Sequence, residues 1–146
     1  MKLYNFFTSL QEVPDNLSLC FSFAGCPIHC KGCSWENEKN YKDYDLSALK
    51  EILNKYSSYI SCVCCLGGEW EKDFVSFLSY CKSLNLKTCL YTGLKEMKNL
   101  DILSRLDYIK LGPYVESLGG LSSKNTNQVF LDVKTGKRLN NLFVKE

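Results

Sequence analysis

The chain has 146 residues, 45% of them hydrophobic and 23% charged, with a formal net charge of +2. That is enough for one domain, 1–146, with a real core, and its few scattered basic residues exclude a nucleic-acid footprint. No apolar run is long enough for a membrane span or a signal peptide, so a cytoplasmic protein without a membrane partner is expected; nine cysteines, an odd number, then argue against a disulfide framework and for metal or redox chemistry.

Two strands are predicted first, Leu3 to Leu10 and Leu17 to Ala24, both rich in aromatic and apolar side chains and joined by the turn chemistry of "VPDN". The second delivers the chain into "GCPIHCKGCSWE", residues 25–36. Leu46, Leu49, Ile52, Leu53 and Tyr56 then form an apolar stripe at helical spacing, with Asp45 placed to cap it. Tyr59 to Leu66 reads as a buried parallel strand that stops at Gly67-Gly68. A second helix carries Phe74, Phe77, Leu78, Cys81 and Leu84 on one face. Leu86 to Tyr91 is a further strand, Thr92-Gly93 a turn, Met97, Leu100 and Leu103 mark a third helix, and Tyr108 to Leu111 another strand. In the tail, Gln128 to Val133 and Arg138 to Val144 flank "KTGK" and predict a β-hairpin.

Strands alternating with helices imply right-handed crossovers, a parallel sheet and ligands at the carboxyl ends of the strands. A closed eight-unit barrel needs about 250 residues. The expectation is therefore an α/β fold, a partial, open TIM-like barrel of about four βα units with an added C-terminal hairpin. The cysteine loop, Gly67-Gly68-Glu69, Thr92-Gly93 and Gly112 all fall on the ligand-binding edge.

Cys26, Cys30 and Cys33 lie within eight residues, bracketed by Gly25, Pro27 and Gly32, which bend a backbone around an object. Structural zinc would need a fourth ligand, His29 or a distant cysteine such as Cys20 or Cys62. An iron–sulfur cube suits three thiolates better, because the iron left without a protein ligand is a place for a substrate or cofactor. Gly67-Gly68-Glu69 ends an apolar strand where a ligand can approach the backbone and a carboxylate can bind an ammonium. Along their strand Cys62 and Cys64 face one way and Cys65 the other, so these three read as buried thiols, as do Cys20, Cys81 and Cys89. Trp35 suits either adenine or a core or partner surface.

Cys26-x3-Cys30-x2-Cys33 resembles the loop of the radical S-adenosylmethionine superfamily, and "GCPIHCKGC" after a short strand looks like the small activating proteins of anaerobic ribonucleoside-triphosphate reductase. "EVPDNLSLCFSFAGCP", "LGGEW" and "YIKLGPYVESLGGLSSKNTNQ" extend the resemblance from Glu12 to about Gln128. It implies that Cys26, Cys30 and Cys33 hold a [4Fe–4S] cluster whose fourth iron chelates S-adenosyl-L-methionine. It implies that Gly67, Gly68 and Glu69 bind the methionyl amino group, with Thr92 and Lys110 placed to reach the carboxylate or ribose. Reductive cleavage then gives a 5′-deoxyadenosyl radical that takes a hydrogen atom from a backbone glycine of the partner. The implied partners are that glycyl-radical reductase and an electron donor such as flavodoxin or ferredoxin; no side chain is needed as acid or base. An activase of another glycyl-radical enzyme and a non-catalytic zinc or redox module are the alternative readings.

Overall fold

Seven strands form one sheet in the computed structural model, which describes residues 1–28 and 40–144. The sequence readings at His29, Cys30, Gly32, Cys33 and Trp35 lie outside the described residues. The strands are β1 (Lys2–Ser9), β2 (Ser18–Phe23), β3 (Lys42–Asp43), β4 (Cys62–Leu66), β5 (Lys87–Tyr91), β6 (Tyr108–Leu111) and β7 (Val129–Asp132). Their order in the sheet is β3-β1-β2-β4-β5-β6-β7, and the sheet is not closed.

β2, β4, β5 and β6 pair in parallel. β1, β3 and β7 add antiparallel margins. The helices α1 (Leu46–Tyr56), α2 (Phe74–Ser83) and α3 (Leu100–Leu103) connect the parallel strands. Each crossover advances one strand in the same direction, so right-handed connections put every helix on one face. The packing agrees: Leu49, Leu53, Phe74, Phe77, Leu78 and Ile102 share one core with Phe21, Phe23, Val63, Cys65, Leu90 and Ile109 of the strands. An aromatic cluster stiffens this core, with Phe77 edge-on to Phe21 at 5.2 Å and to Phe23 at 6.1 Å.

Local signals set most helix starts. Asp45 caps α1 by accepting from the Ala48 N–H at 2.8 Å, as its position predicts. The third helix is shorter than its apolar spacing suggests. Asn99 caps it, Ile102 enters the core, and Leu100, counted in the predicted stripe, is 75% exposed. The tail is also corrected. β7 pairs with β6 as the first arm of the hairpin, and Gly136 takes a left-handed φ of +71° in the turn. The second arm makes one bridge, Arg138 to Leu131, then enters a 3-10 turn at Asn140–Leu142. The Asn140 side chain replaces the missing strand neighbour, accepting from Phe130 N–H and donating to the Gln128 carbonyl, both at 2.8 Å. Two satisfied backbone groups in a buried place outweigh continued pairing.

The face without helices is different in kind. Val13, Cys20, Cys62, Cys64, Cys89, Leu121 and Phe130 form its buried cluster, with Leu139 and Phe143 of the tail packed against it. Cys65 points to the helix side, so the alternation expected of Cys62, Cys64 and Cys65 holds.

Candidate functional site

The carboxyl ends of the parallel strands finish in line. Ser22, Leu66, Tyr91 and Lys110 are successive partners across β2, β4, β5 and β6. Beyond them the sheet continues as single backbone bonds: Gly67 N–H to the Tyr91 carbonyl at 2.9 Å, and Thr92 N–H to the Lys110 carbonyl at 2.9 Å. This regular edge brings Glu69, Thr92 and Lys110, far apart in sequence, to one place.

Glu69 follows β4. Its Oε1 accepts from the Thr92 hydroxyl at 2.7 Å, and its Oε2 is buried with no hydrogen-bond partner among the described residues. Burial pushes the Glu69 carboxyl above its ordinary range; the Thr92 hydroxyl, its own backbone N–H and the Lys110 charge oppose that rise. A buried carboxylate oxygen with an open lone pair is a ready acceptor for an ammonium. Thr92 is 2% exposed and does two things, since its hydroxyl also accepts from Leu94 N–H at 3.1 Å and shapes the turn. Lys110 is buried, not solvated. Its ammonium donates to the Gly112 carbonyl at 3.1 Å and lies 5.7 Å from the centre of the Tyr91 ring. Gln128 donates to the same carbonyl at 3.4 Å.

The two glycines before Glu69 also make room for the protein's own side chains. Both have positive φ, +81° at Gly67 and +103° at Gly68, which alone favours glycine. The space a side chain would take is filled by aromatic rings: a Cβ on Gly67 would stand 2.5 Å from Trp70, and one on Gly68 2.7 Å from Phe23. Bare backbone here admits the protein's own aromatics.

The cysteine loop starts directly above this turn. Gly25, with φ +89°, lies against the Trp70 indole, and Ile28 packs on Gly93, whose added Cβ would stand 2.6 Å from Ile28 Cδ1. Cys26 lies between these two contacts and is half-buried, unlike the fully buried Cys20, Cys62, Cys64, Cys65, Cys81 and Cys89. Of the cysteines in the loop, Cys26 thus lies in the segment whose neighbours Gly25 and Ile28 pack on Trp70, after β4, and on Gly93, after β5. The packing of Trp70 on Gly25 and of Ile28 on Gly93 does not show in the sequence. The only signal was the tryptophan directly after Gly-Gly-Glu.

The remaining thiols do not resemble ligands. Cys20, Cys64 and Cys89 are successive partners across three strands. Burial pushes the Cys62 thiol up to about 12, that of Cys64 well above the ordinary value and that of Cys89 above it, while a hydrogen bond with Cys64 and burial raise Cys20. A thiol that holds its proton is a poor metal ligand. Among the described residues, no group of three or more His, Cys, Asp or Glu side chains is placed to hold a metal ion.

The fold is α/β, and the candidate site residues Glu69, Thr92 and Lys110 gather at the carboxyl ends of its parallel strands. The model of the 4Fe-4S single cluster domain family matches residues 17–130, and the chain belongs to that family. It is an iron–sulfur protein of the 4Fe–4S type. No curated protein and no solved structure matches the chain. No helix among the described residues is long and apolar enough to cross a membrane.

Proposed function

We propose that the protein is a radical S-adenosyl-L-methionine activase that generates the glycyl radical on anaerobic ribonucleoside-triphosphate reductase. The observation that carries this reading is the Glu69 carboxylate, with one oxygen buried and unpartnered among the described residues, on the same strand edge where Gly25 meets Trp70 and Ile28 meets Gly93 at the entrance of the three-cysteine loop. A cluster alone needs no such carboxylate, whereas an amino-acid ligand on the cluster's open iron does.

Cys26, Cys30 and Cys33 would hold the [4Fe–4S] cluster, which supplies one-electron reduction of the bound sulfonium when S-adenosyl-L-methionine is present. This chain's own residues then do four things. Glu69 Oε2 accepts from the methionyl ammonium. Thr92 fixes the other carboxylate oxygen, so that the free one faces the ligand. Peptide groups of Gly67 and Gly68 line the approach. Lys110, already close enough to act on the charge of Glu69, faces the carboxylate or ribose end of the cofactor. No acid or base is required, since the chemistry moves an electron and then a hydrogen atom.

We read β2, β4, β5 and β6 as part of a TIM-like barrel. Their unreversed order and the helices on one face support that reading. The sheet's open form leaves one side of the site for the partner to cover when it presents its glycine, which would exclude water and stray hydrogen donors. An electron donor such as flavodoxin or ferredoxin would reduce the cluster.

The test is anaerobic reconstitution, reduction and a search for 5′-deoxyadenosine. A fully loaded protein that forms none is not a radical enzyme. Cys30→Ala should abolish both cluster content and cleavage. Appearance of a glycyl-radical signal on the purified reductase identifies the target; cleavage without that signal, together with a signal on another glycyl-radical enzyme, reassigns it.

A further inference from the structure

We propose that Trp70 is a positioning residue that ties the entrance of the cysteine loop to the Gly67–Glu69 turn and thereby fixes where the cluster stands relative to the Glu69 carboxylate. This rests on the function proposed above but concerns a residue to which that reading gives no part.

Three contacts converge on one indole. Its Nε1–H donates to the Ala24 carbonyl at 3.0 Å, across 46 positions of sequence. The far edge of the ring sits in the notch left by Gly67, where a Cβ would stand 2.5 Å from Cη2 and 3.2 Å from Cζ3. Nε1 also lies 3.5 Å from where a Cβ on Gly25 would stand. Ala24 is held from its other side as well, its N–H donating to the Lys2 carbonyl at 2.8 Å. The peptide at which β2 hands over to the loop is thus pinned by β1 and by Trp70. Directly after it, Gly25 turns through a left-handed φ of +89° and Cys26 follows.

Trp70 also follows Glu69 directly in sequence. Movement of the indole therefore shifts both the backbone carrying the carboxylate and the backbone delivering the first cysteine. A chelated cofactor is sensitive to that separation, because its ammonium must meet Glu69 while its donor atoms meet the cluster; displacements of about 1 Å at such sites can cost about a hundredfold in rate. Phenylalanine at this position would keep a ring in the Gly67 notch but lose the N–H.

Trp70→Phe, Trp70→Ala and Phe77→Leu are compared with the parent after anaerobic reconstitution. The last variant lowers stability from within the helix-side core and reaches the turn only indirectly, through the Phe23 ring that lies beside Gly68. Iron and sulfide content, the rate of iron release to a chelator, the paramagnetic resonance spectrum of the reduced cluster with and without S-adenosyl-L-methionine, and the Kd of that cofactor are measured. For Trp70→Phe we expect full cluster loading, roughly fivefold to tenfold faster iron release and a similarly weaker Kd, as for one lost buried hydrogen bond. The cofactor-induced spectral change should be broadened. Trp70→Ala should exceed it in each, and Phe77→Leu should match the parent. Parent-like iron release and spectra in Trp70→Phe overturn the proposal, as does an equal effect in Phe77→Leu. If the parent's spectrum does not respond to the cofactor, the functional reading fails separately, and iron release alone decides whether Trp70 holds the loop.

Discussion

Two carboxylates stand at opposite ends of the same strands, and the protein treats them in opposite ways. Asp107 precedes β6 at the amino ends. Its Oδ2 accepts from Lys82 and, at 2.9 Å, from Thr88 N–H, while Lys134 lies 3.4 Å from Oδ1. Burial raises the pKa of Asp107, but the Lys82 bond and charge, the Thr88 N–H and the Lys134 charge together outweigh it and hold the carboxyl below its usual range. Glu69, at the carboxyl ends, has one hydroxyl on one oxygen, no hydrogen-bond partner for the other among the described residues, and a raised pKa. A carboxylate satisfied on all sides serves the fold. One left short of partners is kept for something that arrives later.

Removing each should separate the two. Asp107→Ala strips the acceptor from Thr88 N–H and the counter-charge from Lys82, and should cost about 2–4 kcal/mol in chemical denaturation. Glu69→Gln should lower the affinity for S-adenosyl-L-methionine at least tenfold, about 1.4 kcal/mol or more, by equilibrium binding to the reconstituted protein. Its unfolding free energy should not fall, because a neutral amide keeps the Thr92 bond and removes the buried charge.

The pH dependence should also run in opposite directions. Asp107 has a folded pKa below its ordinary value of 3.8, so it contributes stability above that value and loses it as pH falls through the folded one. Glu69 has a folded pKa above its ordinary 4.5, so the cluster-free protein should lose stability as pH rises from 4.5 through the folded value. Denaturation midpoints across that range should show the second slope in the parent and its absence in Glu69→Gln. The smallest effect belongs to Thr92→Val, which removes one hydroxyl from Glu69 and from Leu94 N–H. About 1 kcal/mol of stability should be lost, with weaker cofactor binding than in the parent.

Much of this was legible in the residues. The stripe Leu49–Leu53 with Asp45 before it, the apolar run from Tyr59 to Leu66 ending in two glycines, of which Cys62–Leu66 is strand, and the order of strands and helices depend on local spacing and turn chemistry, which sequence displays directly. The two-residue β3 and the 3-10 turn at Asn140 did not show. The first is too short to carry a pattern, and the second exists because one amide side chain satisfies two buried backbone groups that come together only in the fold.

The sequence by itself determined the chemistry on offer: three closely spaced thiols, a carboxylate after paired glycines, and the composition of each strand, all properties of neighbours along the chain. Tertiary structure decided which of these meet. Only parallel register could align Glu69, Thr92 and Lys110 on one edge and leave one oxygen of Glu69 without a hydrogen-bond partner among the described residues. Only packing could show that the space beside Gly67 and Gly68 belongs to Trp70, Phe23 and Phe74. Contacts across 23 and 46 positions, such as Thr92 to Glu69 and Trp70 to Ala24, form because hydrogen bonding between strands fixes the ends of distant segments side by side, and no local pattern encodes that.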